Sequence, residues 1–242
     1  MNSQPTSPFS QLSNPSPELL YGNGRALVRL WTILQGQQAN LESHPISHRQ
    51  QLVLVSGSLS VNGQDLPRAK MIDTTKMIDT TTINPTANDD LAKKENVQAW
   101  IAENRSSQPA LLLNIVYGEG LSKLDLPSIT ETRPWGSFTV LKDEPSYKLK
   151  QLINMPGSRL SLQRHEKREE HWFILAGHPE ITLDENIYHP QVGDYIHIPL
   201  HSWHRLSNLN PADEPVELIE LQLGDYFGED DIERRQDDYG RA

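Results

Sequence analysis

Gln163-Arg164-His165-Glu166-Lys167-Arg168-Glu169-Glu170-His171-Trp172 runs through an apolar stretch to Gly177, and Gly193-Asp194-Tyr195-Ile196-His197-Ile198-Pro199-Leu200-His201-Ser202-Trp203-His204 follows, with Asn208 beyond it. Seven of the nine His of the chain fall between positions 165 and 204. On a strand, residues two apart share a face. Gln163 and His165 can therefore both point into a barrel, and Glu170, opening the next strand, can point to the same centre. His204 returns there after a strand bounded by Gly193 and Pro199. Two imidazole nitrogens, one carboxylate and one amide oxygen make a mixed N/O site. Such a set suits Zn²⁺, Fe²⁺, Mn²⁺, Co²⁺ or Ni²⁺ and leaves positions open for a substrate.

Strand signals surround this core. In the second half they cover Ser137–Leu141, Tyr147–Ile153, Trp172–Leu175, Glu180–Leu183, Asp194–Ile198 and Val216–Leu223, separated by Pro156-Gly157, Gly177, Gly193 and Asn210-Pro211. In the first half they cover Ala26–Leu34, Gln51–Val55, Leu59–Val61 and Leu111–Val116, and Asn62-Gly63 reads as a hairpin turn. Many short strands at this spacing predict an all-β chain of sandwiches or barrels. Asp89–Asn104 is the best helix candidate, with Asp at its start, apolar Leu91, Val97, Trp100 and Ile101, and Asn104 at its end. Lys70–Thr75 and Lys76–Thr81 both read KMIDTT; a unit copied once is no solenoid and reads as a duplication in a surface loop. The acidic run Glu229–Glu233 reads as a solvated helix face.

Composition excludes several classes. The 242 residues contain no Cys, so neither a disulfide framework, a thiol nucleophile nor a thiolate metal site is open. A net charge of -10 argues against non-specific nucleic-acid binding, which needs a positive footprint. No apolar run approaches the roughly 20 residues of a membrane span, and no basic segment followed by an apolar core marks a secretory signal; a cytoplasmic protein is expected. Residues 1–20 carry one charge, Glu18, and are rich in Ser, Pro, Asn and Gln, so they are expected to be a disordered leader.

The halves resemble each other. Leu54-Val55-Ser56-Gly57 parallels Ile174-Leu175-Ala176-Gly177, and Pro109-Ala110-Leu111 parallels Pro215-Val216-Glu217. Two related β domains are expected, over 21–127 and 131–242. In the first, Glu42 and His44 stand like Gln163 and His165, Gln50 stands where Glu170 stands, and no His corresponds to His204. No metal is expected there.

These spacings resemble the cupin superfamily. Gln163-x-His165-x(4)-Glu170-x(6)-Gly177 fits its first motif with Gln in place of the first His, and Gly193-x(5)-Pro199-x-His201-x(2)-His204-x(3)-Asn208 fits its second with His in place of the inner Gly. Across about residues 131–241 the chain looks more narrowly like the C-terminal domain of type II phosphomannose isomerases. Arg133-Pro134-Trp135-Gly136-Ser137, Tyr147-Lys148-Leu149-Lys150, Leu160-Ser161-Leu162-Gln163, Glu170-His171-Trp172 and the tail Gly224-Asp225-Tyr226-Phe227-Gly228 carry that likeness. In that family the domain follows a mannose-1-phosphate guanylyltransferase domain. This sequence shows no Gly-rich nucleotide-binding opening, so the resemblance implies the isomerase half alone.

The resemblance implies a double-stranded β-helix fold, two barrels with the first degenerate, and a divalent metal, zinc first, on Gln163, His165, Glu170 and His204. It implies mannose-6-phosphate isomerase activity through a cis-enediolate, in GDP-mannose and polysaccharide biosynthesis. The expected partner is a hexose 6-phosphate; nucleic acid and membrane are not expected, and a homodimer is one arrangement the superfamily adopts. Lys148 and His171 are the candidate bases, Arg133 the first choice for the phosphate and Arg234 the second, with Lys148 beside it in substrate binding. As a strand residue, His171 is expected to point away from Glu170. The family carries further His after the first ligand, where this chain has Glu166 and Lys167. That departure keeps a non-catalytic sugar-binding cupin open; an oxygen-using cupin is disfavoured by Gln163.

Overall fold

The computed structural model describes residues 15–41, 49–73, 100–124, 129–209, 212 and 214–240. The chain divides into two units, Met1–Leu124 and Asp125–Ala242. The first contains β1 (Glu18–Gly22), β2 (Ala26–Ile33), β3 (Gln38–Leu41), β4 (Arg49–Ser56), β5 (Ser60–Val61), β6 (Gln64–Asp65), β7 (Met71–Asp73), β8 (Trp100–Glu103) and β9 (Ala110–Tyr117). The second contains β10 (Ile129–Arg133), β11 (Gly136–Glu144), β12 (Tyr147–Asn154), β13 (Ser158–Arg159), β14 (Leu162–His165), β15 (Arg168–Ala176), β16 (Glu180–Leu183), β17 (Asn186–Tyr188), β18 (Tyr195–Ile198), β19 (His204–Asn208), β20 (Val216–Gly224) and β21 (Ile232–Gln236). No helix among the described residues is long and apolar enough to cross a membrane.

Each unit is a pair of antiparallel sheets, and the pairs have one topology. The first unit orders its strands β1-β2-β9-β4-β7 and β3-β8-β5-β6; the second orders its own β10-β11-β12-β20-β15-β18 and β17-β16-β19-β14-β21. With β10 and β21 set aside, the orders correspond strand for strand. The likeness reaches single residues. A register shift falls between Leu54 and Ser56 in one unit and between Ile174 and Ala176 in the other. The glycine that follows has φ +82 at Gly57 and +79 at Gly177, and a Cβ there would lie 2.7 Å from Ala110 Cα or 2.8 Å from Val216 Cα. Two sheets closing on one apolar core in this order make each unit a cupin barrel, and the chain is all-β.

Several expectations are corrected. Trp100–Glu103 is strand β8, not the end of a helix: Trp100 and Ala102 are buried while Ile101 is exposed, a period of two that ladder pairing with β3 and β5 enforces. The rest of that helix candidate lies outside the described residues. Leu20 is buried and Leu19 pairs with Arg29, so β1 begins inside the expected leader. In the first KMIDTT copy, Met71–Asp73 is β7 paired with β4, and Ile72 packs on the core; the second copy lies outside the described residues. Glu229–Asp231 is a single 3-10 turn and Ile232 begins β21, which pairs with β14. Glu42 and His44 lie outside the described residues. Asn62 and Gly63 turn the β5–β6 hairpin as expected, with φ 48 and 82.

The second barrel has a polar end and an apolar end. Across β12, β20 and β15, the inward positions Leu152, Leu218 and Ile174 form one level of the core. The next level holds Lys150, Glu220 and Trp172, and the one beyond it Lys148, Gln222 and Glu170. The same ladder thus passes from hydrocarbon to charge within four residues.

Candidate metal centre and substrate cavity

Glu170 Oε1 lies 3.1 Å from His165 Nε2, and Oε2 lies 3.4 Å from His204 Nε2. All three residues are buried. Neither Nε2 has a hydrogen-bond partner, although both are sealed from solvent. A buried, unsatisfied polar nitrogen is costly, and here two converge on one carboxylate. His204 Nδ1 lies 3.0 Å from Ser202 O; donation to that carbonyl leaves the Nε2 lone pair facing Glu170. The donor set therefore fits a divalent cation of the borderline class.

Burial pushes the Glu170 carboxyl up, but the His165 and His204 imidazoles outweigh it and hold the carboxyl well below the usual range. Burial likewise pulls His204 down, and Glu170 more than offsets that, leaving it raised. Glu170 also accepts from the Trp172 indole at 3.1 Å and from the Gln222 amide at 3.0 Å, which fix its rotamer.

The carboxylate opens onto a cavity lined by Arg133, Lys150, Gln163, Arg168, Glu220 and Arg234, with Trp135, Phe138, Leu152 and Leu160 as apolar wall. Four of the lining side chains are cations and three, Glu170, Glu220 and Glu229, are carboxylic, so the lining does not share the acidic excess of the chain. Arg133 and Lys150 each lie 5.0 Å from the centre of the Phe138 ring, which holds both against one wall. Arg234 lies 3.4 Å from Glu229 and Arg133 2.7 Å from Glu131. Gln163 sits opposite His204 in the ladder, and its amide oxygen accepts from Ser161 at 2.8 Å.

The structure thus brings together His165, Glu170 and His204, and puts Gln163, Arg133 and Arg234 on the same cavity. Lys148 and His171 stand apart from it. Lys148 is inward on β12, but its ammonium pairs with Asp143 at 3.0 Å, and Lys150 lines the cavity instead. His171 faces the opposite side of β15, with Nδ1 2.6 Å from the Tyr195 hydroxyl. Burial, reinforced by the neighbouring His197, pulls His171 down to about 4. Glu166 and Lys167 are exposed in the turn after β14, and their backbone N–H groups donate to Asp231. They are not among the lining residues, so their difference from the family pattern leaves the lining intact.

Sequence reasoning missed Lys150, Arg168, Glu220 and Gln222. A signal existed for two of them: in Val216–Gly224 the inward set is Val216, Leu218, Glu220 and Gln222, apolar and then polar on one face. Arg168 is buried, with Nε 3.5 Å from Glu170 Oε1 and NH1 3.4 Å from Asp231 Oδ2. Burial and the charge of Glu170 push Glu220 up to about 7. His201, at the place of the motif's inner Gly, has φ 68, the left-handed backbone that a glycine there would adopt. Its N–H donates to His165 O at 2.8 Å, which ties the loop to the ligand strand.

Residues 123–237 match the family described as mannose-6-phosphate isomerase C-terminal. Among curated proteins, the alginate biosynthesis protein AlgA of Pseudomonas putida is 45% identical over 110 residues, 46% of this chain and 22% of AlgA. The xanthan biosynthesis protein XanB of Xanthomonas campestris is 42% identical over 46% of this chain and 23% of its own length. A mannose-1-phosphate guanylyltransferase of Escherichia coli is 39% identical over 46% and 23%. The matched region thus spans less than a quarter of each of these relatives. Among solved structures, an oxalate decarboxylase of Lactobacillus farciminis in complex with formate covers 93% of this chain and 85% of its own, at 10% identity and TM-score 0.41. A cupin 2 conserved barrel domain protein of Leptotrichia buccalis covers 88% and 91%, at 10% identity and TM-score 0.35.

Proposed function

We propose, from the match of residues 123–237 to the family described as mannose-6-phosphate isomerase C-terminal, that this chain interconverts mannose 6-phosphate and fructose 6-phosphate in the cytoplasm. The observation that carries the reading is the convergence of His165 and His204 on Glu170 at the floor of a cavity with Arg133, Lys150, Arg168 and Arg234 in its wall. His165, Glu170, His204 and Gln163 would hold a divalent cation, zinc first, whose Lewis acidity lowers the cost of negative charge on the sugar oxygens.

The remaining work falls to side chains. Arg133 and Arg234 hold the phosphate, whose oxygens match a guanidinium fork. The reaction moves one proton between C2 and C1 through a cis-enediolate. Glu220 Oε1, 3.6 Å from Lys150 Nζ, is the carboxylate oxygen suited to carry it. Lys150 opposes the upward push that burial and Glu170 exert on Glu220, so the carboxyl sits at about 7, where it can both take and give a proton, and its ammonium offsets the anion of the substrate. Trp135 and Phe138 exclude water from one side of the cavity.

A coupled assay of mannose 6-phosphate turnover tests this, with and without chelator, on wild type and His204→Ala. Turnover abolished by both treatments is the expected result. Chelator-insensitive turnover, or full activity of the variant, overturns the metal-dependent reading. Sugar-phosphate binding with no turnover of any hexose phosphate overturns the isomerase reading in favour of a binding cupin.

A further inference from the structure

A second group of donors lies on the face of β15 opposite Glu170. Adjacent residues on a strand point to opposite faces, so Glu169 and Glu170 serve different surroundings. Glu169, His171 and His197 each bring one ligand atom within 4.8 Å of the others. The ladder sets His171 directly opposite His197 on β18, and their rings stack at 4.8 Å with 16° between planes. Both Nε2 atoms face one carboxylate: that of His171 lies 3.5 Å from Glu169 Oε1, and that of His197 lies 3.0 Å from Oε2.

The His171 side chain is fully buried, and its Nε2 has no hydrogen-bond partner. The opposite nitrogen, Nδ1, is 2.6 Å from the Tyr195 hydroxyl. That contact fixes the ring, and in the tautomer whose Nδ1 donates to the hydroxyl the Nε2 lone pair is aimed at Glu169, the arrangement in which metal-bound imidazoles are held. His197 is 41% exposed and Glu169 28%, so an ion has a path to the buried nitrogen.

We infer that Glu169, His171 and His197 form a second divalent-cation site, distinct from that of His165, Glu170 and His204. Two imidazoles and one carboxylate select zinc, nickel or copper over calcium or magnesium. A cation there joins β15 to β18, the edge strand of its sheet among the described residues.

The test is zinc stoichiometry. The full chain, stripped with chelator and dialysed, is titrated calorimetrically with zinc and then assayed for bound metal by elemental analysis. Wild type is expected to take up two equivalents, and His197→Ala and Glu169→Ala one each. Both substitutions fall at solvent-accessible positions, and circular dichroism before titration confirms that the variants are folded. Either variant binding as many equivalents as wild type overturns the second site, whether wild type takes up one or two; a single wild-type equivalent that both variants lose supports the second site and counts instead against the one on His165, Glu170 and His204. The readout needs no turnover, so it stands apart from the isomerase assay.

Discussion

Lys150 stands directly opposite Glu220 in the ladder between β12 and β20, with its ammonium 3.6 Å from the carboxylate oxygen. Their side chains are only 13% and 6% exposed. Lys148, one level along the same face, spends its charge on Asp143, which is largely in solvent. Lys150→Met is therefore expected to lower kcat for mannose 6-phosphate by about 10²-fold, the scale of a lost proton-transfer group or its partner. Lys148→Met should stay within about threefold of wild type, since an exposed pair couples weakly. Steady-state kinetics of the two variants side by side decides the assignment, and the reverse order of losses would return the role to Lys148.

Arg133→Ala separates phosphate binding from chemistry. Arg133 sits over Phe138 and lines the cavity. Its loss should raise KM for mannose 6-phosphate by about tenfold or more, in line with a charge-assisted hydrogen bond of ~1.5–3 kcal/mol. Unphosphorylated mannose, tested as a competitive inhibitor, should bind wild type and Arg133→Ala equally. A variant that weakens both alike would show that Arg133 shapes the cavity rather than holding phosphate.

The tail is clipped to the barrel by a pH-sensitive pair. Arg159 donates to both carboxylate oxygens of Asp238, at 2.7 and 3.0 Å. The hydrogen bond from Arg159 holds Asp238 below its ordinary 3.8. A lowered folded-state pKa means that the stabilisation is complete above 3.8 and is lost as the pH falls through the folded value. Asp238→Ala should therefore cost less than about 1 kcal/mol at neutral pH, as befits a partly exposed pair. The difference from wild type should shrink as the pH falls below 3.8 and through the folded value, and denaturant melts across a descending pH series measure it.

Backbone strain at His201 gives a stability test within the metal loop. With φ 68, a side chain branched at Cβ is disfavoured there more than His, and glycine is not. His201→Val should destabilise by ~1–2 kcal/mol, whereas His201→Gly should fall within about 0.5 kcal/mol of wild type, because relief of strain offsets added freedom of the unfolded chain. Thermal melts compare the two.

What the sequence could and could not reveal follows from the kind of signal each residue gave. Tyr147–Asn154 and Val216–Gly224 were legible because turn residues bound them and branched apolar side chains fill them. His165, Glu170 and His204 were legible because imidazoles and a carboxylate at strand spacing have few other uses. Trp100–Glu103 misled because Val97, Trp100 and Ile101 also satisfy a helical period, and only the ladders to β3 and β5 decide between them. Lys150 and Glu220 were hidden because a charge on a strand reads as solvated until the opposing strand is known. The acidic start of β21 was hidden likewise: Glu233 belongs to the strand because Arg164, opposite it on β14, pairs with it at 2.7 Å.

The correspondence of the two barrels yields a paired prediction. Gly57 and Gly177 follow the same bulge, with φ +82 and +79. A Cβ at Gly57 would lie 2.5 Å from Pro109 O, and one at Gly177 would lie 2.8 Å from Pro215 O. Those oxygens are backbone atoms, so no side-chain rotation relieves the clash, and the left-handed φ adds strain of its own. Gly57→Ala and Gly177→Ala should each cost ~2–4 kcal/mol, well beyond an exposed glycine such as Gly63. Hydrogen exchange should localise the damage: faster exchange along β4 and β9 for Gly57→Ala, and along β15 and β20 for Gly177→Ala. Only the second change reaches the ladder that carries Glu170, so Gly177→Ala should also weaken zinc binding at that site. A neutral Gly57→Ala would mean that the first barrel does not depend on this bulge, and that its match to the second is one of strand order alone.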